Sequence, residues 1–421
     1  MIKEASLINI NLFKRKALHW ASSFNTVSVF DSNNFNDPYS DFDWMLAAGS
    51  LDELEVDANA SFIHLKSFRQ KYPNQWLPGF LSYDLKNEVE NLTSENPDYL
   101  HFPQLYFFVP KHVLLLKNNQ LEIISTEAEK TWFEIEATKI HLIKKASLQI
   151  KAKISKEEYL GKVNQIKQHI LRGNIYETNF CQEFYAENAQ IDPISVFEEL
   201  NAVSPTPFAC YFKVKDKHVI SASPERFLAK RNQRLISQPI KGTAPRSPDP
   251  QQDEHQKNTL KNSIKEKAEN VMIVDLVRND LTKSALPGTV EAEELFGVYS
   301  FRQVHQMIST VSATLDERID PVDAIKNTFP PGSMTGAPKI KAMQLAEYFE
   351  VSKRSVYAGS AGYFSPGGDF DFNVIIRTIL YNAAKKYLSF QVGSAITFQS
   401  EAAAEYEECL LKASAMMQVL S

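Results

Sequence analysis

Cysteine is scarce in this 421-residue chain. There are three, Cys181, Cys210 and Cys409, odd in number, far apart and without a CxxC pair. That excludes a zinc ribbon and argues against a disulfide framework, so the expectation is three reduced, buried thiols in a cytoplasmic protein. No run of 18 apolar residues occurs, which leaves nothing to span a membrane as a helix. The opening stretch MIKEASLININLFKRKALHW carries charge throughout and lacks the apolar core of a signal peptide. The nine histidines show no HxxxH or HExxH spacing, which argues against a zinc hydrolase. Neither sign of charge dominates: 46 Lys+Arg against 51 Asp+Glu gives −5, and that balance gives no reason to expect a nucleic acid or an anionic membrane as partner.

Glycine is also scarce, with 14 residues, and ten of them lie after residue 240. Because glycine is kept where backbone takes positive φ or approaches a ligand closely, the second half is where a site is expected. All four tryptophans lie in the first third. Residues 1–150 read as strands and short loops, including Leu105–Val109 and His112–Leu116, and end in a basic stretch around Ile140–Lys145. From 151 to 421 the pattern changes. Ser155 followed by acids and apolar residues at Leu160, Val163, Ile166 and Ile170 predicts a capped helix stopping at Gly173. Further helices are expected around 256–280, 321–328, 338–350 and 401–420. YETNFCQEF, HVISASPERFLAK, RLISQPIKGTAPR and the hairpin around SPGGDFD read as strands. Locally paired strands with segregated helices indicate an α+β class with antiparallel sheets.

Four features carry possible chemistry. In the last helix Glu401, Glu405, Glu408 and Lys412 share one stripe beside an apolar stripe. Alone this is an ordinary solvated face, yet it is also a carboxylate set suited to Mg²⁺. In EKAENVMIVDLV, Glu266 and Glu269 share a face, and the helix then turns apolar nearly all round, which predicts burial. Lys241 lies between Ile240 and Gly242, so desolvation is expected to lower its pKa and leave a nucleophilic amine; a snorkelling lysine is the plainer alternative. Glu225, 16 residues earlier, becomes a general acid if the two strands pair. PPGSMTGAPK lacks the GK[ST] ending of a phosphate loop, leaving a Gly/Thr loop before a helix.

SASPERF, QPIKGTAPR, EKAENVMIVDLVRNDL, PGSMTGAPK, YAGSAGYF with NVIIRT, and VGSAIT followed by EYEECLLKA occur in the order found in chorismate-utilising enzymes, and residues ~155–421 resemble that family. The resemblance implies two large antiparallel sheets packed together with helices outside, residues 1–150 contributing strands to both and 151–421 binding chorismate. KGT at Lys241 is similar to the branch that aminates chorismate to 4-amino-4-deoxychorismate, on the way to 4-aminobenzoate and folate. There this lysine attacks C2, Glu225 protonates the leaving hydroxyl and ammonia enters at C4. The branch that makes anthranilate and pyruvate, the alternative, usually has AGT. The resemblance further implies Mg²⁺ held by Glu269 and Glu408 with Glu266 and Glu405 in support. It implies substrate binding by Arg377, Tyr357, Thr335 and Lys412, with backbone contacts at Gly242, Thr243 and Gly393, and an active-site His305. No glutaminase motif surrounds a cysteine, so ammonia is expected from a separate glutamine amidotransferase subunit. Two positions depart from the family: Glu177 replaces its Gln or Lys, where a carboxylate offers a group to bind or deprotonate ammonium, and Arg302 stands near its first histidine in VYSFRQVHQM.

Overall fold

The computed structural model describes residues 2–7, 9–57, 59–140, 147–302 and 304–421; most of the basic stretch around Ile140–Lys145 lies outside them. Among the described residues twenty strands pair antiparallel throughout and form one hydrogen-bonded sheet with two arms. In the first arm the order runs Gln120–Ser125, Leu105–Lys117, Trp44–Val56, Thr26–Asp31, Phe208–Val214, Lys217–Ser223, Thr378–Asn382, Tyr387–Ile396, Glu177–Ala186. In the second it runs Leu77–Leu81, Ser360–Phe364, Phe370–Val374, Arg226–Arg231, Arg234–Gln238, Val304–Thr314. Ile240–Pro245 and Glu291–Ser300 flank the last of these.

The expected two layers are therefore present, but they are continuous. Leu105 and Phe107 pair with Leu81 and Gly79 on one side and with Val56 and Leu54 on the other, so strand Leu105–Lys117 joins the arms. Where two separate strands were expected around Leu105–Leu116, one 13-residue strand runs through. It ends in Asn118-Asn119, both at positive φ (50° and 64°), the two-residue turn whose twist matches a hairpin. The arms face each other across an aromatic core, with Phe80 against Phe212 and Phe30 against Tyr363 at ring-centroid distances of 5.8 and 5.6 Å. A second core lies between the outer face of the first arm and the helices Ile10–Ala21, Lys156–Leu171, Pro193–Val203 and Ala402–Leu420.

Local sequence explains most helix ends. Ser155 and Glu158 form a reciprocal capping box on Lys156–Leu171. The predicted helix over 256–280 is in fact two, Pro250–Asn262 and Ile264–Thr282, because Ser263 leaves helical geometry and caps the second through Glu266 N–H. That second helix is not buried all round: Ile273, Val274, Val277 and Leu281 pack inward, while Val271 is 42% exposed. Helices Pro321–Thr328 and Lys339–Phe349 lie where expected. Cys181, Cys210 and Cys409 are free and buried. Among the described residues no helix is long and apolar enough to cross a membrane.

Candidate active site

The chain crosses between the arms twice at one place. Ser223 ends a first-arm strand and Arg226 begins a second-arm one, leaving Pro224 and Glu225 at the crossing. Val374 ends a second-arm strand and Thr378 begins a first-arm one, leaving Ile375, Ile376 and Arg377 at the other. The two crossings bond to each other, Val374 N–H to the Glu225 carbonyl at 3.0 Å and Ala222 N–H to the Arg377 carbonyl at 3.1 Å. Strands that leave a ladder expose side chains at its end, and here they open a cleft of about 950 Å³ including its mouth.

Twelve of the fourteen expected site residues line this cleft: Glu225, Lys241, Gly242, Thr243, Glu266, Glu269, Tyr357, Arg377, Gly393, Glu405, Glu408 and Lys412. Arg226 pairs with Gln238 in register, so the hairpin that was the condition for Glu225 and Lys241 to meet is present. Glu225 is 4% exposed; its Oε1 accepts weakly from Ile240 N–H at 3.4 Å. Burial pushes its carboxyl up to about 7, the direction that keeps an acid protonated near neutrality. Gly242 sits at φ 98°, and a Cβ there would lie 3.1 Å from Glu266 Oε2. Glycine thus permits both the turn after Lys241 and the approach of that carboxylate.

Two helices bring the acids. Glu266 and Glu269 come from Ile264–Thr282, Glu405 and Glu408 from Ala402–Leu420. Burial raises Glu266, and raises Glu269 to about 7 against the pull of Lys241. Burial also opposes ionisation of Glu408, but Lys412, 2.6 Å away, overrides it and holds that carboxyl below its usual range. Glu269 faces Lys265 at 3.8 Å. Among the described residues no three His, Cys, Asp or Glu side chains converge closely enough to enclose a metal.

Lys241 is where the sequence expectation is corrected. Its neighbours are not only apolar: Glu177, Glu269, Glu225 and Glu408 surround it, and Glu177 Oε1 is 3.7 Å from Nζ. Desolvation does act to lower its pKa, but these four carboxylates outweigh it and the ammonium is held above its usual value.

Residues 14–418 match the family model described as chorismate binding enzyme. The chain belongs to this family. It is similar to the aminodeoxychorismate synthase component 1 of Klebsiella aerogenes, with 34% identity over 83% of this chain and 80% of that one. The Escherichia coli (strain K12) protein of the same name is 32% identical over 81% and 76%. In structure it resembles anthranilate synthase component I from Streptococcus pneumoniae TIGR4, with TM-score 0.80, 25% identity, and 88% and 91% of the two chains covered. The menaquinone-specific isochorismate synthase from Escherichia coli shares the fold, with TM-score 0.78 at 15% identity over 100% and 94%.

Two family-implied residues are placed elsewhere. The Thr335 hydroxyl donates to the Gly332 carbonyl at 2.9 Å inside its own loop, so Ser333 and Met334 face the cleft instead. His305 is 1% exposed and held between Ser300 Oγ (2.8 Å) and Asp253 Oδ1 (3.1 Å). Its strand neighbour Gln306 lines the cleft, and alternation along a strand turns His305 to the opposite face. Asn179, Lys265, Gln306, Ser333 and Gln391 line the cleft without having been singled out. The side-chain oxygens of Asn179 and Gln306 are buried without partners, which marks them as ready to meet a ligand. Only their position beside the quoted motifs signalled them in the sequence.

Proposed function

We propose that this chain is a component I of aminodeoxychorismate synthase, converting chorismate and ammonia to 4-amino-4-deoxychorismate with the enolpyruvyl group retained, and so acting as a transferase. The observation that carries the reading is Lys241 presented to the cleft beside Glu225, in a chain 34% identical to a relative of that name. A lysine can add to the ring only if its amine faces the substrate, and an acid with a pKa near 7 can protonate the departing hydroxyl. Lys241 adds at C2 as the 4-hydroxyl leaves with the Glu225 proton; ammonia then enters at C4 and the lysine is released.

Chorismate carries two carboxylates. Arg377, Lys412 and Tyr357 bind them, with backbone contacts from Gly242, Thr243 and Gly393. Mg²⁺, taken with Glu269 and Glu408 while Glu266 and Glu405 support, would orient and polarise the ring carboxylate. The fit rests on four carboxylates from two helices facing one cleft; because no three converge among the described residues, the ion would need substrate oxygens and water as well. A glutamine amidotransferase subunit supplies the ammonia.

The purified chain, given chorismate, Mg²⁺ and ammonium, is expected to yield an aminated product that keeps the enolpyruvyl arm, read by mass spectrometry, and to yield none from glutamine alone. Anthranilate and pyruvate would transfer the chain to the tryptophan branch.

A further inference from the structure

We propose that the side-chain oxygen of Asn179 accepts the hydrogen bond of chorismate's 4-hydroxyl, and so orients the group that leaves and the nitrogen that replaces it. The inference rests on the reaction proposed above and adds a substrate-orienting residue to it.

Asn179 is the third residue of strand Glu177–Ala186 and is 7% exposed. Its Oδ1 is buried, carries no hydrogen bond among the described residues, and belongs to a side chain on the cleft wall. The amide is not equally satisfied when turned over. Its Nδ2 donates to the Ser333 carbonyl at 3.5 Å and to Met334 Sδ at 3.4 Å, and a flip would set the oxygen against those two acceptors. On the other side, a Cβ at Gly393 would lie 2.9 Å from Oδ1, so glycine there keeps the space before the oxygen open. The backbone is held as well. Arg354, 2% exposed, donates to the Asn179 carbonyl at 2.9 Å and to the Met334 carbonyl at 2.7 Å, and Glu350 pairs with the same guanidinium at 2.7 Å.

A buried acceptor without a donor is costly until a ligand supplies one. Chemistry selects the ligand atom. The two carboxylates and the ether oxygen of chorismate only accept, so none of them satisfies Oδ1; the 4-hydroxyl is the single O–H donor of the dianion. Location agrees with this. Ser333, whose carbonyl holds the Asn179 amide, also sets its side chain beside Glu225, and Glu225 is the acid that meets the same hydroxyl.

The arrangement points both bonds of the hydroxyl in useful directions. Donating to Oδ1 leaves a lone pair on the hydroxyl oxygen free to take the Glu225 proton as the C4–O bond breaks, and the oxygen departs as water with both hydrogens. Ammonia, entering at the same carbon, sets one N–H toward Oδ1, which leaves its own lone pair facing C4. Asn179 neither gains nor loses a proton, so what it contributes is orientation.

The test compares two ligands on the full chain carrying Lys241→Ala, which prevents a ring adduct. One is chorismate and the other its analogue with hydrogen in place of the 4-hydroxyl, and calorimetric titration with Mg²⁺ and no ammonium gives both dissociation constants. With Asn179 in place, chorismate is expected to bind more tightly than the analogue. Adding Asn179→Leu, nearly isosteric but without an acceptor, should cut that preference about 10-fold by weakening chorismate and not the analogue. A merely structural role would weaken both ligands alike, and a preference that falls by less than about threefold overturns the proposal. The second measurement leaves residue 179 untouched and so does not depend on the folding of the Leu variant. The crystal structure of the Lys241→Ala chain with chorismate should place Oδ1 about 2.7–3.0 Å from the C4 oxygen; a 4-hydroxyl that donates instead to water or to another acceptor, such as Gln306 Oε1, overturns the proposal. If the wild-type chain forms no aminated product, the reaction reading fails, and both measurements still report whether Asn179 meets the 4-hydroxyl.

Discussion

Lys412 ties the two walls of the cleft together: its Nζ is 2.6 Å from Glu408 Oε1, one turn back on the same helix, and 2.9 Å from the Gly393 carbonyl oxygen on the facing strand. The i,i+4 spacing makes the ion pair local to the helix, whereas the bond to Gly393 fixes how far that helix stands from the sheet. Gly393 is required at this contact, because a Cβ there would lie 2.6 Å from Cys181 Sγ.

Lys412→Met removes a cleft-wall charge that the proposed reading sets against a substrate carboxylate, and it leaves the apolar stripe of its helix intact. A hydrogen bond to a charged group contributes about 1.5–3 kcal/mol, so KM for chorismate should rise roughly 10- to 100-fold by the same principle. Thermal unfolding of the variant should fall modestly as well, because Glu408 and the Gly393 carbonyl lose their shared donor.

The pH dependence of kcat/KM follows from Glu225. Burial raises its carboxyl to about 7, so the acid form persists at neutral pH and is lost above it. Activity with ammonium should therefore decline as pH rises through about 7, and Glu225→Gln should cut kcat by about 10²–10⁴ and remove that alkaline limb. The same raised value has a stability consequence with a fixed sign. The contribution is fully present below the unfolded value of about 4.3. It is lost as pH climbs through about 7.

Arg226, next to Glu225, anchors the crossing. It is 1% exposed and donates from Nε and Nη2 to both oxygens of Asp371 at 2.9 Å, with Asp37 as a further partner. Burial alone would raise Asp371, but Arg226 and Arg231 overcome it and hold its carboxyl below the usual range. Arg226→Met leaves a buried carboxylate short of its main partner, which costs about 3–5 kcal/mol, measured by denaturant unfolding. The stabilisation from Asp371 is present above its unfolded value near 3.9 and disappears as pH falls through the lower folded one. The wild-type advantage over Arg226→Met should therefore shrink in acid.

What the sequence disclosed and what it concealed divide along physical lines. Glu405, Glu408 and Lys412 could be placed on one stripe because helical period is local, and Ser155 with Glu158 announced its own cap. The break at Ser263 is also local, but a serine inside an unbroken run of helix-compatible residues does not announce itself as a cap, and only its bond from Glu266 N–H identifies it. The charge state of Lys241 was not readable from Ile240 and Gly242, since the four carboxylates around it come from positions 177, 225, 269 and 408. The directions of the Thr335 and His305 side chains were hidden for a related reason: the motif fixes which residues are near the cleft, but a loop hydrogen bond to Gly332 and the alternation past Gln306 decide which way the side chains point.

The central claim, that Lys241 bonds to the ring, is tested most directly by peptide mass spectrometry of the chain quenched with chorismate and Mg²⁺ in the absence of ammonia. Without an incoming amine the lysine adduct has no ammonia to displace it. The account predicts that the Lys241 peptide gains the mass of chorismate less one water, and that the gain disappears when ammonium is added before the quench. An unmodified Lys241 in a preparation that aminates chorismate as soon as ammonium is supplied would contradict it.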